Sequence, residues 1–391
     1  MNYNRLAKNI IKLDIPKIVF VLELSNQCPM KCKYCFYNYD LRNKIELDLD
    51  NPQLFLFLKK ISKHKLINID IQYDGNYFRL KKFVNKLFEN ELYSLDLTIQ
   101  SSGCGVDIDF LKFISDFGIS VAYSFDGFYN GLRKNSVSKS AMDLSNKQGV
   151  SFGIITVVSK ENESKLFSYF KRLVNLYPSN FRGINFNYIY TDNLKLLPNS
   201  KTIVSEYNKI YDYIIKNNLP INFSPYFTSI KRKYFKFAEL CDDGGCGAYK
   251  RIFSISCDGR IFGCDSLIKT YSPAGDISQI RTKLLFDVQS IKNKLNCNSC
   301  MYNTICENFC VGKFKSINEN MGFIQELCIY NKTVCKAVLK ILKSEKIAKI
   351  FAYKPNRYSV NFISSNLSSK FYPLGNNGLW DKTILFFLCF K

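Results

Sequence analysis

The chain has 391 residues, enough for one large domain or two to three smaller ones, and 47% of them are hydrophobic, ample for packed cores. Its net charge is +22, but the lysines are scattered rather than striped and accompany abundant Asn, Ile, Tyr and Phe, as an A- and T-rich coding sequence gives, so nucleic acid is not the expected partner. The 15 cysteines are odd in number, the chain opens on no apolar signal segment and no run reaches membrane-span length, so reduced, metal-bound thiols in a cytoplasm are expected rather than a secreted disulfide framework or a membrane protein.

Residues 1–17 read as a short basic lead-in. From 18 to about 225, strand-like runs fall at 18–24, 66–72, 95–100, 119–124, 150–158, 183–190 and, more weakly, 221–224. Helical patterns lie between them at 51–60, 79–89, 108–116, 139–148, 163–176 and 203–217. This alternation predicts an α/β fold, a parallel sheet with helices outside. Directly after the first strand come Cys28, Cys32 and Cys35, a CxxxCxxC spacing. Three thiolates that close can hold three irons of a [4Fe–4S] cube and leave the fourth open to bind a small molecule. Zinc is the competing reading. It prefers four closed ligands, often with histidine, and the one histidine of the chain, His64, has no cysteine near it. Around residue 236 the rhythm stops, and a cysteine-dense, turn-rich region runs to about 335. The pattern predicts a helix over 334–350 and gives the polar, aromatic tail 351–391 no role. The expected domains are thus 18–225 and 236–335, with the lead-in before them and a helix and tail, 336–391, behind.

The three-cysteine loop, with Tyr34 before its last cysteine, resembles the radical S-adenosylmethionine (SAM) superfamily. The resemblance implies a partial (β/α)6 TIM-like barrel with reactive residues at the carboxyl ends of the strands, where Cys28, Gln72, Gln100 and Ser124 fall. It also implies that the open iron binds the amino and carboxylate groups of SAM and that one electron cleaves SAM to a 5′-deoxyadenosyl radical. Further along, Cys246 is followed by Gly259 and Cys264, then by Cys297, Cys300, Cys306 and Cys310 in a CxxCx5Cx3C run, then by Cys328. This array resembles the seven-cysteine SPASM domain found behind such barrels. The likeness implies two auxiliary [4Fe–4S] clusters. Cys246, Cys264 and Cys310 would hold the first with Cys241, for which Cys257 is the alternative. Cys297, Cys300, Cys306 and Cys328 would hold the second. Asp258-Gly259 reads as the turn of a hairpin.

Cys35-Phe-Tyr, Gln100-Ser-Ser-Gly103, Val121-Ala-Tyr-Ser-Phe-Asp-Gly127 and the strand from Gly149 are similar to segments of the anaerobic sulfatase-maturating enzymes and related peptide-modifying SPASM proteins. That resemblance implies that Tyr34 and Ser124 contact SAM, that Arg133 pairs with its carboxylate and that Asp265 takes a proton from the substrate. One run departs from the family. Where the family has G-G-E-P after the second strand, this chain has Gln72-Tyr-Asp-Gly-Asn76. Gln72 matches the family's preceding glutamine, and Asp74 is expected to substitute as acceptor for the SAM ammonium. The expected function is a radical SAM oxidoreductase acting on a residue of a peptide or protein. Flavodoxin or ferredoxin would be the electron donor, and a separate protein could supply peptide recognition. The alternatives are a thioether- or carbon–carbon-forming peptide maturase, a non-catalytic iron–sulfur electron-transfer or scaffold protein and, suggested only by charge, a nucleic-acid-binding or RNA-modifying protein.

Overall fold

The computed structural model describes residues 2–35, 44–128, 130–235, 246–306 and 309–343, and for 231–235 the backbone alone. The apolar runs form strands β1 (Lys17–Glu23), β2 (Leu66–Tyr73), β3 (Asp96–Ser101), β4 (Ser120–Ser124), β5 (Phe152–Val158), β6 (Phe181–Tyr188) and β7 (Asn222–Ser224). The periodic segments form helices α2 (Pro52–Ser62), α3 (Tyr77–Glu89), α4 (Ile108–Asp116), α5 (Asn135–Lys147), α6 (Leu166–Leu176) and α7 (Ser200–Lys216), behind a first helix α1 (Tyr3–Ile11). After α8 (Tyr226–Phe235) come the hairpin β8 (Ile252–Ile255) and β9 (Ile261–Phe262), then α9 (Ile277–Lys294), α10 (Val311–Ser316) and α11 (Met321–Leu342).

One sheet runs in the order β7-β6-β5-β4-β3-β2-β1-β8-β9. All its pairs are parallel except β8 with β9. The α/β expectation is therefore met. Short polar side chains start the helices. Asn51, Asn76, Asp107, Asn199, Asp276 and Asn320 each accept a first-turn N–H, which satisfies a donor that the helix leaves open.

Each strand has two unlike faces. On β1, Ile18, Phe20 and Leu22 join the helix-covered core, and Val19, Val21 and Glu23 alternate with them. On β2, Ile67, Ile69, Ile71 and Tyr73 are core, whereas Asn68, Asp70 and Gln72 point the other way. On β2 the face turned from the helices is thus polar, whereas on β1 it carries Val19 and Val21 beside Glu23. Each fully buried Leu, Ile or Phe on the core side stabilises by roughly 1.5–3 kcal/mol, and this fixes which face is inward.

Three features differ from the sequence expectation. The lead-in contains α1, whose Leu6, Ala7 and Ile10 are buried and whose Tyr3 ring lies 5.5 Å from that of Phe57 on α2. The strand rhythm resumes once after residue 236, because β8 lies parallel to β1 on its free edge. The last helix begins at Met321 rather than at 334, and 344–350 lie outside the described residues.

Candidate metal and cofactor site

The three-cysteine loop leaves the carboxyl end of β1. A turn joins Cys32 to Cys35, with the Cys35 N–H donating to the Cys32 carbonyl at 3.1 Å. Lys33 N–H reaches over to the Leu132 carbonyl at 3.1 Å, tying the loop to the segment behind β4. The thiols stand within electrostatic reach of one another. Burial raises the Cys28 thiol and pushes Cys32 up to about 11, and the neighbouring thiols add to both effects. Bare thiolates are therefore disfavoured here. A soft cation would reverse that balance, and the donor set of sulfur without histidine suits iron–sulfur ligation.

No disulfide forms among the described cysteines. No group of three or more Cys, His, Asp or Glu side chains among the described residues is gathered to hold one metal ion. A cube takes each thiolate at a different corner, so its ligands stand apart rather than around a single ion.

Around this loop the structure collects Tyr34, Ser124 and Arg133. Tyr34 donates its hydroxyl to Asp126 Oδ2 in a short hydrogen bond. Arg133 Nε donates to the Tyr34 hydroxyl at 3.0 Å and lies 3.5 Å from the same Asp126 oxygen. Arg133 Nη1 reaches the Ser124 carbonyl at 3.3 Å. Across the strand ends, Gln72 donates to Gln100 at 3.4 Å and Gln100 to the Ser124 hydroxyl at 3.3 Å. This polar row crosses β2, β3 and β4 beside the cysteine loop.

Asp74 is already engaged. Its oxygens accept from the Ser25 hydroxyl at 2.6 Å, Arg79 at 2.8 Å and the Asn76 N–H at 2.9 Å. A carboxylate offers about four lone-pair directions, so one is left for a further donor. The neighbouring Gly75 and Gly105 approach so closely that a Cβ on Gly105 would run into the Gly75 carbonyl, and both have positive φ. A Cβ on Gly75 would lie 3.3 Å from Cys104 Sγ, and Cys104 also acts electrostatically on Cys28. A cleft of about 1190 Å3 runs from Gln27 and Asp74 outward between α3 and α4, past Tyr77, Phe78 and Phe113. The thiols do not line it.

The second array falls into two groups. Cys246, pushed up to about 11 by burial, feels the charge of Cys310. A Cβ on Gly312 would collide with the Ser266 carbonyl, so the start of α10 sits against the turn that follows Cys264. Tyr249 responds to both Cys264 and Cys246. Separately, Cys297, Cys300, Cys306 and Cys328 act on one another. Cys241 lies outside the described residues. Cys257 is buried, and the charges acting on it are Glu23, Asp258 and Arg260. Asp265 Oδ1 accepts from the Cys264 thiol at 2.9 Å, and its charge acts on Glu23 and Asp70.

Those last two acids and Asp126 are residues that sequence reasoning missed. Glu23 Oε1 and Asp70 Oδ2 are buried without a hydrogen-bond partner among the described residues. Burial, helped by Asp265, pushes Glu23 up to about 8. Asp70 is raised well above the usual carboxylate range by burial, although Thr98 donates to it at 3.2 Å. In sequence both sit inside apolar runs. The only signal was a charge at a strand position.

No family model matches the chain. The cysteine-type anaerobic sulfatase-maturating enzyme of Clostridium novyi (strain NT) is 23% identical over 335 residues, which cover 73% of this chain and 85% of that protein. Among solved structures, anSMEcpe with bound AdoMet and the Cp18Cys peptide matches with a TM-score of 0.62 at 17% identity, over 83% of this chain and 99% of that one. Streptococcus suis SuiB bound to S-adenosylmethionine matches with a TM-score of 0.54 at 15% identity, over 76% and 74%. At such identities the solved structures speak for the fold.

Proposed function

We propose that the chain is a member of the radical SAM superfamily that modifies a residue of a peptide or protein, a reading supported by its likeness to a sulfatase-maturating enzyme and to folds solved with S-adenosylmethionine bound. One observation carries the reading. Tyr34, set between two cysteines of the loop, meets Arg133 and the tip of β4 at the carboxyl edge of the sheet.

Cys28, Cys32 and Cys35 would hold three corners of a [4Fe–4S] cluster. When bound, cluster and SAM supply an electron and a hydrogen-atom acceptor. The chain's own groups bind and orient. Arg133 would pair with the SAM carboxylate, for which a guanidinium's parallel N–H groups are well suited. Asp74 offers its remaining lone-pair direction to the ammonium. Gln72 and Ser124 belong to the polar row that borders the cofactor. Asp265 accepts the proton that the substrate releases on oxidation, a base placed next to the second thiol array. The two further thiol groups would each hold an auxiliary cluster, the first with Cys241. The reading takes residues 236–335 as a cysteine-rich domain behind a barrel over 18–225, with its hairpin β8–β9 joined to the sheet beside β1. A peptide substrate is supported by the peptide bound to anSMEcpe. Flavodoxin or ferredoxin in a cytoplasm would be the donor. No helix among the described residues is long and apolar enough to cross a membrane.

Protein reconstituted without oxygen, reduced with dithionite and given SAM should form 5′-deoxyadenosine. A cysteine-containing peptide should change mass in the same mixture. The Cys28/Cys32/Cys35→Ala triple variant should do neither. Iron-loaded wild type that forms no 5′-deoxyadenosine would leave the non-catalytic iron–sulfur scaffold, which the replaced Gly-Gly-Glu run favours.

A further inference from the structure

Asp126 follows β4 and is almost wholly buried, with 1% of its surface exposed. Three neighbours pin it from behind. Val157 N–H donates to its Oδ1 at 2.8 Å, Asn162 Nδ2 donates to its carbonyl at 3.0 Å, and its own N–H donates to Asn135 Oδ1 at 3.1 Å. Phe125, just before it, is hydrogen-bonded to Ile155 at 2.9 Å. A single oxygen, Oδ2, is left facing outward. There it meets two groups from other segments, the Tyr34 hydroxyl of the cysteine loop and the Arg133 guanidinium. A buried carboxylate is costly unless paired and hydrogen-bonded. These two partners therefore cannot leave without exposing a large penalty, and each is held in one arrangement.

We infer that Asp126 is a positioning residue: one rigidly mounted carboxylate oxygen fixes both the cysteine loop, through Tyr34, and the direction of Arg133. The inference rests on the cofactor reading above. A guanidinium has five N–H donors. Nε is directed at Tyr34 and Nη1 at the Ser124 carbonyl. The remaining outer N–H groups keep a set direction and present a fork to a carboxylate. Asp126 touches neither cofactor nor substrate in this account. It acts through Tyr34 and Arg133.

The test is SAM affinity of iron-loaded protein, measured by calorimetry, with the change in the EPR signal of the reduced cluster on SAM addition. Asp126→Asn keeps the shape and the acceptor for Val157. It also places an amide where it opposes the Arg133 donor. SAM affinity should fall about tenfold or more, and the SAM-induced EPR change should shrink, with iron content and melting temperature close to wild type. Tyr34→Phe should lower SAM affinity too, and the double variant should lose less than the sum of the two single losses. Unchanged affinity in Asp126→Asn, additive losses, or losses that merely track iron content and melting temperature overturn the inference. If Asp126→Asn does not fold, unchanged affinity in Tyr34→Phe overturns it alone. Iron-loaded wild type that binds no SAM overturns the cofactor reading itself.

Discussion

Glu23 ends β1 with its carboxyl buried, and burial, seconded by the nearby Asp265, pushes its pKa up to about 8. In an unfolded chain the same group titrates near 4.3. Below that pH both states hold the proton and ionisation of the residue contributes nothing to stability. As pH rises toward 8, the unfolded state ionises first, so stability is lost progressively across that window. Glu23→Gln removes the titration and keeps the shape. Its melting temperature should match wild type near pH 4 and exceed it at pH 9, by the equivalent of a few kcal/mol. A constant offset at both pH values would refute this. Legibility at this scale follows locality. The pattern of Cys28, Tyr34 and Cys35 is visible in sequence because it lies within one loop. Asp126 lay in the quoted run from Ser124 to Gly127, yet its meaning depends on Tyr34, 92 positions away. Asp74 reads in sequence as the acceptor for the SAM ammonium, and the hydrogen bonds it receives from Ser25 and Arg79 leave no trace there.

Among the elements, those with a strong period and a polar cap were legible nearly to the residue. The expected 108–116 helix is α4, opened by Asp107. Helix α11 starts at Met321, inside the region whose cysteine spacing up to Cys328 carries no helical signal. Its apolar positions Phe323, Ile324, Leu327 and Tyr330 continue into Val334 and Val338 with helical spacing. Helix α1 was lost in a basic composition, although Leu6 and Ile10 stand four apart and both are buried. Ile10→Ala should cost about 2–4 kcal/mol in chemical denaturation, the usual range for truncating a buried isoleucine. A loss below about 0.5 kcal/mol would mean that α1 does not dock. Gly312 makes a sharper test. It lets the start of α10 press against the Ser266 carbonyl, two residues beyond Cys264. Gly312→Ala must push these backbones apart and with them Cys310 and Cys264. About four irons per chain should be lost from the auxiliary content, with the Cys28 loop still loaded. Full iron content in that variant would separate Cys310 from Cys264.

At the scale of the whole molecule, three thiol groups predict three clusters and about twelve irons per chain after anaerobic loading. Cys297→Ala or Cys300→Ala should lose about four of them and lower the stability of the C-terminal half, since ligation contributes folding free energy there. Unchanged iron in either variant would refute the grouping. A zinc-rich, iron-poor protein prepared strictly without oxygen would refute the cluster reading altogether. The parallel sheet was legible from alternation. The seat of β8 was not, because strand pairing across so long an interval leaves no periodic trace. That pairing also sets a timetable. Ser254 bonds the Val21 carbonyl across 233 positions of chain, so the edge of the strand that launches the first cysteine loop stays open until residues beyond 254 have been made. At about 5–20 residues per second, that is an interval on the order of 10–50 s. A chain halted before the hairpin would therefore leave the ribosome with that edge of β1 still lacking its partner strand.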